Sequence, residues 1–217
     1  MAGDKDRYHH GDLRRALVAA AAGLLEAEGL EALSLRGVAA AAGVSHNAPY
    51  RHFADKRALL TAVAALGFAD LAVRLGGGQA PGQAPGEVRG EEADAALAAR
   101  ALAYLSFAAE RPAMYRLMFA SDLVVGSTAP ELGASSIGAF EGLRAAVAAC
   151  LPGRTAEAAA GAVASVLWAQ LHGLALLLAE NRIRPWMREG VSDRAITEAA
   201  AQALPGQARL VLAGLSA

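Results

Sequence analysis

Residues 33–57 read LSLRGVAAAAGVSHNAPYRHFADKR, and the order of small, polar and basic side chains predicts two short helices joined by a tight turn. Ser34 is placed to cap the first, whose Val38, Ala39 and Ala42 share an inner face. Gly43 supplies the left-handed backbone that a sharp helix-ending turn needs, and Val44 fills the elbow. Ser45 caps a second helix whose first turns present His46, Asn47, Tyr50, Arg51 and His52. Such a layout is a helix-turn-helix, in which the second helix enters a DNA major groove.

The rest of the chain suits a helical protein. Of its 217 residues, 55% are hydrophobic and only 5% aromatic, with Ala and Leu dominant, which favours helices packed closely through small side chains. The single Cys150, in AAVAACLPG, has no partner for an internal disulfide and reads as a small buried apolar residue of a reducing, cytoplasmic compartment. Net charge is −1, so any basic signal is local: within 45–57, Arg51, Lys56 and Arg57 face one acid, Asp55. Arg14-Arg15 before ALVAAAAGLL imitates an export signal, but the apolar run leads into Glu26 and Glu28, where a cleavage site wants small neutral residues. The run 158–179 is apolar apart from Ser165, Gln170 and His172; as a lone run it is expected to be a buried helix, with no membrane partner.

Periodicity places the other elements. Residues 1–11 are polar, and a first helix fits Asp12 to Glu28, with Leu13, Leu17, Ala20 and Leu24 along one face and Gly29 ending it. A helix from Asp55 to Leu75 puts Leu59, Leu60, Val63, Leu66 and Leu71 inward and is long enough to connect two domains. GGGQAPGQAPGEVRG (76–90) is a flexible linker or loop by composition. Helices follow over Glu91–Glu110, from Pro112 through PAMYRLMFA, over 136–151 and over 155–180. A last helix is capped by Ser192 and expected to break or bend at Pro205; 121–135 stays ambiguous. No strand-period alternation competes, so the fold class is all-α.

Residues 8–60, HGDLRRALVAAAAGLLEAEGLEALSLRGVAAAAGVSHNAPYRHFADKRALL, resemble the TetR family of bacterial transcriptional regulators through LSLRGVA, AAGVS, YRHF and DKRALL in register. PAMYRLMF (112–119) and WAQLHGLALL (168–177) resemble the C-terminal domain of a subgroup marked by Trp-x-x-x-His-Gly, here Trp168, His172 and Gly173. The resemblance implies a three-helix DNA-binding domain over 1–56 and a helical ligand-binding and dimerisation domain over 57–217. It implies a homodimer that sets two recognition helices in successive major grooves of a near-palindromic operator and is released by a small-molecule effector. By position, Arg36 contacts DNA from the helix before the turn. His46, Asn47, Tyr50, Arg51 and His52 lie on or beside the recognition helix, and Lys56 reaches a phosphate. Pro49 departs from the family's larger aliphatic residue. Counted from Ser45 it removes only the first intrahelical bond, so the helix is expected to survive.

The side chains suit the task on their own chemistry. Ser45 and Tyr50 hydroxyls donate to phosphates, Asn47 matches adenine, and Arg51 reads guanine or clamps phosphate. His46 and His52 can donate to base edges or backbone, whereas Phe53 is expected to pack on the first helix. In the larger domain Trp168 and His172, four apart, share a face with Leu171 and Ala175, either as core or as polar tips in an apolar effector pocket. Tyr104, Phe107, Tyr115, Met118 and Phe119 are further pocket candidates, and the effector they suit is largely apolar. The Ala/Leu/Val faces of the last two long helices suit an intersubunit four-helix bundle. No phosphate loop, nucleophile elbow, HExxH or Cys/His metal spacing supports an enzyme, and His9-His10-x-Asp12 is a weak metal candidate near a polar terminus. No cofactor is expected. The remaining alternative is an all-α small-molecule-binding protein without DNA binding.

Overall fold

In the computed structural model of the protein, residues 5–76, 90–120, 129–152, 155–183 and 185–215 are described, and every regular element among them is helical. The chain forms two compact units, residues 1–68 with 111–135, and 69–110 with 136–217.

The first unit is built on α1 (Lys5–Ala32), α2 (Leu35–Ala41), a 3-10 turn (Pro49–Arg51), the first part of α3 (Lys56–Arg74), α5 (Pro112–Ala120) and the start of α6 (Pro130–Cys150). Helix α1 begins seven residues earlier than its apolar pattern indicates; the polar 5–11 segment has no proline, and Gly11 alone does not end the helix. Gly29 (φ 82, ψ 175) does interrupt it, as a kink. The inner stripe is rotated from the expected one: Leu17, Val18, Ala21, Ala22 and Leu25 are buried, while Leu13, Ala20 and Leu24 border them half-exposed. Alanines at 21 and 22 admit close neighbours, and α1 packs on both α2 and α5. In α3, Leu59, Leu60, Val63 and Leu71 are buried as expected, but Leu66 shares an uncovered strip with Ala69 and Val73.

The second unit packs α4 (Glu91–Glu110), α7 (Thr155–Ala179) and α9 (Asp193–Leu215) against one another. Helix α4 starts with Glu91, Glu92 and Asp94, which favour a helix N-terminus, and buries Leu97, Ala101, Tyr104, Leu105, Phe107 and Ala108. Val163, Leu167, Leu171 and Ala175 form the buried stripe of α7, but the helix is not buried throughout. Its opposite face, through Ala158, Ala162, Ser165, Ala169, Gly173 and Leu177, is exposed. By length and composition Ala158–Ala179 could cross a membrane; here it packs on α4 and α9. A short α8 (Pro185–Arg188), not foreseen from periodicity, precedes α9. Helix α9 runs through Pro205 without the expected interruption. Burial of Ala201, Leu204, Pro205 and Ala208 outweighs the one hydrogen bond that proline removes.

Helix α6 also begins earlier than 136, at Pro130, where proline suits a first helical turn. Of the expected linker over 76–90, residues 77–89 lie outside the described residues, as do residues 121–128 of the ambiguous stretch. At the linker's near edge Gly76 (φ 74) turns the chain, and Arg100 Nε donates to the Leu75 carbonyl at 2.9 Å.

Candidate functional site

Ser34 has extended backbone, and its Oγ accepts the Gly37 N–H at 3.1 Å, so α2 starts as its cap residue dictates. Val38 and Ala39 are fully buried, Ala42 is half-exposed, and Arg36 points outward from the opposite side. Gly43 (φ 67) takes the left-handed turn, and the Val44 N–H returns to the Ala39 carbonyl at 3.0 Å.

The segment after the turn does not form the α-helix expected from Ser45. The Ser45 carbonyl accepts the Ala48 N–H at 2.9 Å, and Pro49–Arg51 form a single 3-10 turn closed by His52 N–H on the Pro49 carbonyl at 3.0 Å. The cause is Pro49. An α-helix capped at Ser45 needs its first bond from residue 49 to the Ser45 carbonyl, and proline has no N–H to give and crowds that carbonyl. The tighter i→i+3 pattern takes over. Ser45 is therefore not an α-helix cap here.

The exposed flank survives this change. Ser45, His46, Asn47, Tyr50 and Arg51 are all exposed, Tyr50 at 54%, while Pro49 and Phe53 beneath them are buried and His52 is half-buried. The Arg14 guanidinium of α1 lies 5.4 Å over the Phe53 ring, so Phe53 does pack on the first helix. Asp55 Oδ1 accepts the Ala58 N–H at 2.7 Å and caps α3. Half-buried Lys56 directs Nζ to the Leu30 carbonyl at 3.1 Å, fixing the start of α3 to the end of α1; its ammonium has further protons for a phosphate.

The effector-facing candidates fall in two groups. In the second unit Tyr104 and Phe107 are buried in α4, and Trp168, His172 and Leu171 lie on α7. Trp168 meets Tyr104 edge-on at 5.1 Å and Phe140 at 5.8 Å; the Tyr104 hydroxyl lies 3.2 Å from His172 Nδ1. Burial holds His172 below its ordinary value, so near neutral pH the ring is uncharged and its Nδ1 can accept the Tyr104 proton. In the first unit Tyr115, Met118 and Phe119 lie on α5, with Phe119 4.8 Å from Tyr115 and 5.1 Å from Phe68. A groove of about 300 Å³ runs between α7 and α9 along Gln170, Leu171, Leu174, Ala200, Leu204 and Gln207; of the expected pocket residues it uses Leu171.

Three features escaped the sequence. Phe140 joins the Trp168 cluster from α6, too far along the chain for any local pattern to link them. Glu26 of α1 reaches the start of α5. The Cys150 thiol donates to Asp94 Oδ1 at 2.9 Å, and Asp94 also binds Arg209, which holds its carboxyl below the ordinary range. No group of three or more His, Cys, Asp or Glu suited to a metal occurs among the described residues, and the His9, His10 and Asp12 side chains lie outside them.

A capped helix, a glycine turn and an exposed polar-basic flank, followed by a separate all-helical unit, define a helix-turn-helix DNA-binding regulator. Residues 17–63 match the family described as bacterial regulatory proteins, tetR family, and residues 97–204 match the tetracyclin repressor-like C-terminal domain. A protein of unknown function from Rhodococcus sp. RHA1 is similar at 34% identity, with 92% of this chain and 96% of that one covered and a TM-score of 0.67. A tetR-family bacterial regulatory protein from Rhodococcus RHA1 (19% identity, 91% and 97% covered, TM-score 0.58) shares the fold. So does a TetR family transcription regulator from Marinobacter aquaeolei VT8 (18%, 91% and 97%, TM-score 0.55). No curated protein matches. The chain belongs to the TetR family: it is a DNA-binding transcriptional regulator and not an enzyme.

Proposed function

We propose that the protein is a ligand-responsive repressor of the cytoplasm that binds a near-palindromic operator as a homodimer and is released by a small, largely apolar effector. The observation that carries this reading is the flank Ser45, His46, Asn47, Tyr50 and Arg51, exposed together above buried Pro49 and Phe53, with Arg36 exposed on the preceding helix. Arg51 and Asn47 are the base readers. Ser45, Tyr50, Arg36 and Lys56 hold phosphates, and His46 and His52 assist from the edge. Residues 1–56 act as the reader and 57–217 as the effector and dimer domain.

The effector-facing residues are Trp168, His172, Tyr104, Phe107 and Leu171 of the second unit, and Tyr115, Met118 and Phe119 are the candidates within the first. A mostly apolar lining with a neutral Tyr–His pair suits an uncharged ligand carrying one or two polar groups. The motif Trp168, His172 and Gly173 supports assignment to the Trp-x-x-x-His-Gly subgroup. Effector release requires different affinities for two conformations, since equal binding to both shifts nothing.

Fluorescence anisotropy with the duplex upstream of the protein's own gene tests the reading. Arg51→Ala and Tyr50→Ala, with circular dichroism unchanged, are expected to weaken binding by about 1–3 kcal/mol each, as loss of a good base or phosphate contact does. Undiminished binding by both variants, or no binding to any duplex at low salt, would overturn it.

A further inference from the structure

Helix α5 begins with a capping problem that its own sequence does not solve. The residue before it is Arg111, which has no side-chain acceptor, and its first residue is Pro112, which has no N–H. Tyr115 is the first residue whose N–H finds a partner in line, the Arg111 carbonyl at 2.9 Å. That leaves the amides of Ala113 and Met114 to be satisfied from elsewhere.

Glu26 of α1 satisfies both. Its Oε1 accepts the Met114 N–H at 2.9 Å and its Oε2 the Ala113 N–H at 3.3 Å, with the Arg111 Nε 3.8 Å from Oε1. A carboxylate there also suits the positive end of the helix dipole. Helix α5 also packs closely on α3: a Cβ at Gly67 would stand 2.6 Å from Met118 Sδ and 2.8 Å from Met114 Sδ. Helix α1 packs in turn on α2, and α2 on Pro49–Arg51. A continuous line of contacts thus leads from α5 through Glu26 to the reading turn.

We propose that Glu26 is the positioning residue that couples α5 to the DNA-reading turn: both amides are accepted in the operator-binding state, and an effector that draws α5 away breaks the pair. The proposal rests on the regulator reading above. Coupling is reciprocal, so operator binding must tighten the same contact.

The test is amide hydrogen exchange of the full-length protein by NMR, with and without a duplex recovered by selection from random DNA. In the wild type the duplex is expected to slow exchange at Ala113 and Met114 about tenfold, within the range usual for coupled sites, while α4 amides do not respond. Glu26→Ala should leave both amides fast with or without the duplex and weaken duplex binding about tenfold; Glu26→Gln, which keeps one acceptor, should recover part of each. A purely structural role would lower the melting temperature without making exchange at these amides depend on DNA. Exchange indifferent to a bound duplex, or Glu26→Ala binding it as tightly as wild type, would overturn the proposal alone. A wild-type protein that binds no duplex would overturn the regulator reading along with it.

Discussion

Single side chains here are governed by where helices place them more than by their intrinsic chemistry. Cys150 is an example: burial first, and then the adjacent Asp94 carboxylate, push its thiol up to about 12. At pH 8 its thiolate population is then about a thousandfold below that of a free cysteine, so reaction with a thiol reagent should be slowed by about that factor until urea exposes it. A native reaction as fast as the unfolded one would contradict the buried Asp94 contact. His172 is lowered by the same burial, and the sign follows. The unfolded chain takes up a proton first as pH falls, so the stability tied to neutral His172 is complete above about 6.5 and is lost as pH drops through the lower folded value. Urea midpoints at pH 7.5 and 5.5 should fall less for His172→Gln than for wild type, and an equal fall would show that the ring is not buried in solution.

At the scale of elements, much is legible without coordinates. The Ser34 cap, the Gly43 turn, Glu91–Glu110 and the proline start of α5 follow from local chemistry, because caps, left-handed glycines and proline act within one helical turn. The 3-10 turn at Pro49–Arg51 is not, although its cause is visible: the missing N–H amounts to one lost bond, yet it is the bond that starts the helix. Pro49→Ala restores that donor. Backbone chemical shifts at residues 46–52 should then move to α-helical values, with a protected amide at position 49. Unchanged shifts would mean that something other than proline holds the 3-10 form. The rotated face of α1 and the unbroken α9 are hidden for a different reason, since both are decided by neighbours distant in sequence.

For the whole molecule, the exposed flank is readable as a cluster, whereas the Tyr104–Trp168–His172 group needs helices more than sixty residues apart to meet. The exposed faces of α7 (Ala158, Ala162, Ser165, Ala169, Gly173) and α9 (Ala199, Ala203, Gly206) carry small residues at helical spacing, with Leu210 exposed one turn further along α9. Such faces let backbones approach closely, which is the basis for proposing that two copies pair there. Pairing by a two-fold axis converts one reading turn into two, and the spacing of the DNA sites becomes a measure of the protein's symmetry. Selection of bound duplexes from random DNA, repeated at rising salt, is the most direct test. The expected result is an inverted repeat with half-site centres about one helical turn or a multiple apart, and binding that falls steeply with salt. Recovery of no sequence, or of a single unpaired half-site bound without salt dependence, would contradict it.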